Sequence, residues 1–193
     1  MAEQPREVAI PLGQEQVSGT LALAPAATGI VIFAHGSGSS RFSPRNQAVA
    51  LHLQHAGLAT LLVDLLTPSE ERMDEATAEL RFDIPFLAAR LAAVTDWVRQ
   101  QPATSKREIA YFGASTGAAA ALLAAAARDD IRAIVSRGGR PDLAGDVLPS
   151  VEAPTLLLVG GNDTPVIAMN RTAYDQLLCE KKMQIIPGAS HLF

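Results

Sequence analysis

Short apolar runs alternate along the chain with stretches in which apolar side chains recur at helical spacing, the rhythm of a parallel sheet covered by helices on both faces. Residues 29–34, GIVIFA, are apolar without interruption, as a strand buried on both faces requires. Val49, Leu53 and Ala56 then set a helical period over residues 45–56, and residues 59–64 predict the next strand. Four more strands are expected at 109–112, 133–136, 155–159 and 183–186, with helices at 84–100, 115–128 and 166–182. For the helix at 84–100, Asp83 is a suitable N-cap and Pro85 fits the first turn. Ahead of the alternation, residues 8–11 and 17–24, separated by Gly13 and polar residues, predict an antiparallel hairpin at one sheet edge. The longest connection, TPSEERMDEATAELRF, is acidic and expected to be partly helical.

These elements predict an α/β fold, a mostly parallel, doubly wound sheet with an N-terminal antiparallel hairpin and no large cap domain. Only residues 137–154 separate the strand ending at Ser136 from the next one, too few for a helical cap, so the pocket is expected to be shallow or open. The alanine clusters at 118–121 and 124–127 fit high helix propensity and close packing on a sheet. The sequence stops just where a closing helix would be expected. Either the natural protein is longer, or it manages without that helix.

Composition narrows the function classes. With 193 residues the chain fits a single domain, and 48% hydrophobic residues with a net charge of -4 give no basic field for nucleic acid. MAEQPREVAI lacks the charged start and apolar core of a signal peptide, and no apolar run is long enough to span a bilayer, so a cytoplasmic location is expected. The single cysteine, Cys179, cannot form an internal disulfide and reads as a small buried side chain within AMNRTAYDQLLCEKK. His52 and His55 lie three apart on a predicted helix, but no carboxylate or cysteine joins them, so they read as a solvated face rather than metal ligands. HGSGSS lacks the lysine of a P-loop and the spacing of a dinucleotide fingerprint, and no metal or cofactor is implied.

The candidate chemistry sits at strand ends, where open α/β sheets place their sites. In YFGASTGAAAA, Ser115 lies between Gly113 and Gly117, after a strand and before a helix. A sharp strand-to-helix turn tolerates no side chain at those two positions and would hold the serine hydroxyl up at the sheet edge. A serine needs a base, and the base an orienting acid. LLLVGGNDTPV puts Asp163 in a turn after a buried strand, and IIPGASHLF puts His191 after the last one. The order serine, aspartate, histidine is that of the α/β-hydrolase arrangement.

On these motifs the chain resembles an α/β-hydrolase of the dienelactone-hydrolase-like superfamily over nearly its whole length. GASTG resembles the nucleophile elbow, GGND the acid turn, GASH the histidine loop and FAHGSGSSR the oxyanion loop. It departs from true dienelactone hydrolases at the nucleophile, there a cysteine, so their substrate does not carry over. The resemblance implies Ser37 as one oxyanion donor, with Gly36 and Gly38 letting that loop turn close to the substrate, and His35 as a residue that holds the loop. Thr116, next to the nucleophile, would supply the second donor through its backbone N–H.

Asp142 also follows a strand and is the competing acid, while Asp64 reads as an acceptor for loop backbone. Arg41, Arg137 and Arg140 fall near the same edge. They either clamp a carboxylate or phosphate of the substrate or pair with Asp142, Asp64 or backbone and fix the loops. The expected activity is cofactor-independent hydrolysis of a small ester, thioester or lactone. Acyl transfer or perhydrolysis by the same triad, a non-catalytic binding module, and assembly as a homodimer remain open alternatives.

Overall fold

The computed structural model of the chain describes residues 4–24, 26–36 and 38–193. Strands β1 (Arg6–Leu12), β2 (Glu15–Ala22), β3 (Gly29–Ala34), β4 (Ala59–Val63), β5 (Glu108–Ala114), β6 (Ile131–Arg137), β7 (Thr155–Gly160) and β8 (Lys181–Ile186) form one sheet in the order β1-β2-β4-β3-β5-β6-β7-β8. The β1–β2 hairpin is antiparallel and joins β4 antiparallel through β2; all remaining neighbours are parallel. This is the mixed α/β sheet that the alternation predicts.

Five α-helices are described: α1 (Pro44–His55), α2 (Pro68–Thr77), α3 (Ile84–Gln100), α4 (Thr116–Ala126) and α5 (Thr164–Gln176). Helices α3, α4 and α5 contribute Leu91, Leu122 and Ala173 to the larger core on one face, together with Ile32, Leu61 and Tyr111. On the other face Val49 and Leu53 of α1 pack on Val31, Phe33, Leu62 and Phe112. Helix α4 is mostly alanine because it runs buried between the sheet and α3, with Ala118 to Ala121 fully covered. There the repetitive composition is a packing constraint. The Tyr111 hydroxyl meets Thr95 Oγ1 at 2.7 Å inside this core, so its polar end is satisfied.

Strand order positions the site. From β3 the chain crosses by α1 to β4 on one side, then returns by α3 to β5 on the other side of β3. The loops leaving β3 and β5 therefore diverge, opening a crevice at the carboxyl ends of the strands.

Most boundaries shift by one or two residues from the sequence pattern, and the largest departure is at the end of α5. The helix expected over 166–182 ends at Gln176, and the last strand begins at Lys181 rather than Met183. Leu177 leaves helical geometry (φ -62°, ψ 131°) with its side chain fully buried, and Lys181 Nζ donates to the carbonyls of Tyr174 and Leu177. Cys179 thus lies in the connection, partly buried against the core, with Sγ 3.8 Å from Thr155 Oγ1. His52 and His55 are exposed on α1. No described helix is long and apolar enough to cross a membrane.

Candidate active site

Ser115 sits between β5 and α4 with φ 49° and ψ -124°, a left-handed backbone that costs a non-glycine residue about 1–3 kcal/mol. Such strain persists only where the surroundings overdetermine it. Here they do: a Cβ on Gly117 would stand 2.6 Å from the carbonyl oxygen of His35, and one on Gly113 would run into the backbone of Ala118. The elbow is therefore wedged between the β3 loop and the first turn of α4, as the two glycines suggest. Ser115 stands at the N-cap position, yet its side chain makes no capping bond and its hydroxyl hydrogen-bonds none of the described residues.

Asp163 likewise occupies the N-cap position of α5 without capping it. Its carboxylate goes to His191, with Oδ2 2.6 Å from Nδ1, which leaves the imidazole Nε2 facing away from the acid. Asp163 is largely buried, 14% exposed, whereas His191 is 41% exposed, so the imidazole is accessible while its carboxylate partner is not. The pair is set by backbone zipping between the two loops. Gly161 N–H donates to Ile186 O (2.8 Å), Asn162 N–H to Ala189 O (2.9 Å) and Asn162 Nδ2 to Gly188 O (3.0 Å). The loop after β6 bridges this pair to the elbow. Arg140 N–H donates to Ser115 O at 3.0 Å, and Gly138 lies under His191, where a Cβ would approach its carbonyl oxygen to 2.9 Å. The competing acid, Asp142, is held by Arg140 at 2.8 and 2.9 Å.

The β3 loop crosses the elbow on the other side. A Cβ on Gly36 would meet Ser115 Cβ at 2.6 Å, so only glycine lets the loop come this close. Ser37, the expected oxyanion donor, lies outside the described residues. Thr116 is buried in the first turn of α4, beside Gly36 and Gly38 on the wall of the adjoining cleft. The loop is stapled by Asp64 after β4. Its Oδ1 accepts from Arg41 N–H at 2.7 Å, its Oδ2 pairs with the Arg41 guanidinium, and His35 Nε2 stands 3.5 Å from Oδ1. Burial alone would raise the Asp64 carboxyl, but His35 and the two Arg41 groups outweigh it and hold the carboxyl below its ordinary range.

The three arginines are thus differently engaged. Arg41 is bound to Asp64 and Glu7, and Arg140 to Asp142. Arg137 donates to Asn46 Oδ1 at 3.0 Å and lies over the Phe112 ring, where burial, then Arg45, lowers its pKa. Arg41 and Arg140 thus have carboxylate partners named in the loop-fixing alternative, whereas Arg137 has none, and its buried Nη1 meets no hydrogen-bond partner among the described residues.

A cleft of about 230 Å³ opens beside Gly36 and Thr116, lined among others by the apolar Leu65, Leu66 and Leu87 and by the charged Glu71, Asp74, Glu75 and Arg81. Its outer wall is α2 and the 3-10 turn Leu80–Phe82, part of the connection that the sequence pattern left only partly helical. Between β6 and β7 run 3-10 turns broken at Gly145, with no inserted cap. The wall residues escaped sequence reasoning because α2 buries only Asp74 and shows no apolar stripe. A signal existed nonetheless: Thr67-Pro68-Ser69-Glu70 is a capping box, in which Thr67 accepts from Glu70 N–H and Glu70 accepts from Thr67 N–H.

Comparison with known proteins agrees with this architecture. The family model described as "Dienelactone hydrolase family" matches residues 17–193. The crystal structure of a dienelactone hydrolase from Anabaena variabilis is 58% identical, with a TM-score of 0.95, over 99% of this chain and 90% of that one. A cold-adapted esterase from an Arctic intertidal metagenomic library, 18% identical, shares the fold over 95% of this chain and 84% of that one with a TM-score of 0.76. A Mycobacterium tuberculosis protein named "Putative phosphoribosyl transferase" is 54% identical over 97% of this chain, which spans only 42% of that relative. From its β2 strand to Phe193, the chain belongs to the dienelactone hydrolase family.

Proposed function

We propose that the protein is a serine hydrolase that cleaves small carboxylic esters, thioesters or lactones through an acyl-enzyme. The observation that carries this reading is the strained Ser115 at the sheet edge, bridged through the 138–140 loop to a hydrogen-bonded Asp163–His191 pair. Ser115 Oγ attacks the acyl carbon while His191 Nε2 takes its proton. Asp163, on Nδ1, fixes the tautomer and stabilises the imidazolium. The carbonyl oxygen, now an anion, is received by the backbone N–H groups of Thr116 and Ser37, each donor of this kind lowering the barrier by about 3 kcal/mol. His191 returns the proton to the leaving oxygen or sulfur. Water then attacks the acyl-enzyme with His191 again as base, releasing the acid and restoring Ser115. The serine–histidine contact is expected to close on substrate binding, because such bonds are often long in the free enzyme.

The transferase name of the mycobacterial relative is not carried over, since this chain spans less than half of it. A fluorophosphonate probe should label Ser115, because an activated serine reacts where ordinary serines do not. Ser115→Ala should abolish both labelling and the hydrolysis of p-nitrophenyl esters, a loss of about 10⁴-fold or more in kcat. Label that persists in the variant, or that never appears on folded protein, overturns the assignment.

A further inference from the structure

The loop that leaves β6 is held at three consecutive residues. Gly138 N–H donates to Leu158 O of β7 at 2.8 Å, and Arg140 N–H donates to Ser115 O at 3.0 Å. Between them the Gly139 carbonyl accepts from Asn170 Nδ2 at 2.9 Å. Asn170 stands on the buried face of α5 with Val166 and Ala173, and it is fully covered. Its Nδ2 also donates to Val166 O, one turn back, at 2.8 Å. Because both neighbours are carbonyl oxygens, the amide must turn its nitrogen toward them. That leaves Oδ1 buried with no hydrogen-bond partner among the described residues. A buried unpaired oxygen is destabilising, so packing alone would favour an apolar side chain here. The Val166 bond stays within the helix. The Gly139 bond is what the amide adds to the tertiary structure.

Asp163 stands at the start of the same helix and holds His191 at 2.6 Å. Gly138 lies beneath His191 and Arg140 reaches Ser115, so the residue between them is tied to the helix that carries Asp163. We propose that Asn170 is a positioning residue, which through the Gly139 carbonyl sets the placement of the Asp163–His191 pair relative to Ser115. Its kinetic consequence rests on the serine-hydrolase reading; its hold on the loop does not.

Three variants test this. Asn170→Leu keeps the bulk and removes both donated bonds. Asn170→Ser keeps a hydroxyl that can donate to Val166 O within the helix but falls short of Gly139 O. Ser136→Ala is the control: Ser136 Oγ is buried against the same glycine with no hydrogen-bond partner among the described residues, so its loss disturbs packing and breaks no bond. In both Asn170 variants, kcat per fluorophosphonate-labelled site should fall about 10- to 100-fold with KM within about twofold, since a displacement of about 1 Å suffices for such a loss. Amide hydrogen exchange at Gly138 and Arg140 should quicken about tenfold or more, and the His191 Nδ1–H proton resonance should shift. Ser136→Ala should leave all of these unchanged. If Asn170→Leu does not fold, Asn170→Ser decides alone. A lower melting temperature with unchanged kcat per labelled site, unchanged exchange at Gly138 and Arg140, or an equal effect of Ser136→Ala overturns the proposal. A wild type that hydrolyses no ester and takes no label, while the Asn170 variants still quicken exchange at Gly138 and Arg140 and shift the His191 resonance, would sink the serine-hydrolase reading and leave the positioning by Asn170 standing.

Discussion

The Ser115 elbow and the histidine loop are held in place by different physics. At the elbow, Gly113 and Gly117 bring backbone against backbone, α4 behind it is fully buried, and Ser115 is forced to φ 49° by its surroundings. At the histidine loop, β8 is an edge strand of partly exposed residues, His191 is 41% exposed, and the geometry comes from a few hydrogen bonds between the 160–163 turn and residues 186–191. Close packing makes the elbow rigid at the cost of tolerating no added atoms. Polar zipping leaves His191 accessible, at the cost of depending on individual bonds.

The largest effect that separates the two regions should come from Asp163→Asn. If the histidine loop contributes chemistry rather than fold, kcat should fall by about 10⁴-fold through the wrong imidazole tautomer, while the melting temperature stays within a few degrees. Asp142→Asn, which only releases Arg140, should leave kcat nearly unchanged. The reverse pattern in ester hydrolysis would move the acid to Asp142.

Gly117→Ala probes the opposite regime. Its Cβ has no room against the backbone oxygens of Ala34 and His35, so we expect a loss of about 2–4 kcal/mol in urea unfolding. Gly138→Ala, beneath His191 at φ 51°, should cost only about 1 kcal/mol while lowering kcat about tenfold, because the displaced part is the proposed base. Equal stability losses for the two variants would erase the distinction between a packed elbow and a zipped loop.

The smallest effect concerns the β3 loop, a second region fixed by polar contacts. The Asp64 carboxyl is depressed in the folded protein, so its contribution is fully present above the ordinary aspartate value of about 3.9 and is lost as pH falls through the lower folded value. Asp130, held by Arg128 and Arg99 and lowered to about 2, titrates further down and far from the site. Between about pH 5 and 3, Asp64→Asn should therefore show a flatter decline in melting temperature than the wild type. Parallel declines would mean that Asp64 does not anchor the loop.

Much of this architecture is written in the chain because its signals are local. GIVIFA is a strand wherever it is buried, and a serine between two glycines at a strand-to-helix junction has few conformations open to it. The order of Ser115, Asp163 and His191 along the sequence likewise fixes which strand ends must meet. Local pattern failed at the end of α5, where burial of Leu177 and the reach of Lys181 decide the boundary. It failed too at α2, whose polar surface carries no period.

What the sequence by itself determined is thus the sheet, the elbow and the identity of the candidate triad, because each depends on residue type at short range. What only the tertiary structure decided is how charge is allotted around the site. Arg41 is claimed by Asp64 and Glu7, and Arg140 by Asp142. Residue types alone left these arginines between two alternatives, since an ion pair depends on which long side chains the fold brings within a few ångströms: Arg41 follows β3, while its partners Asp64 and Glu7 lie after β4 and on β1.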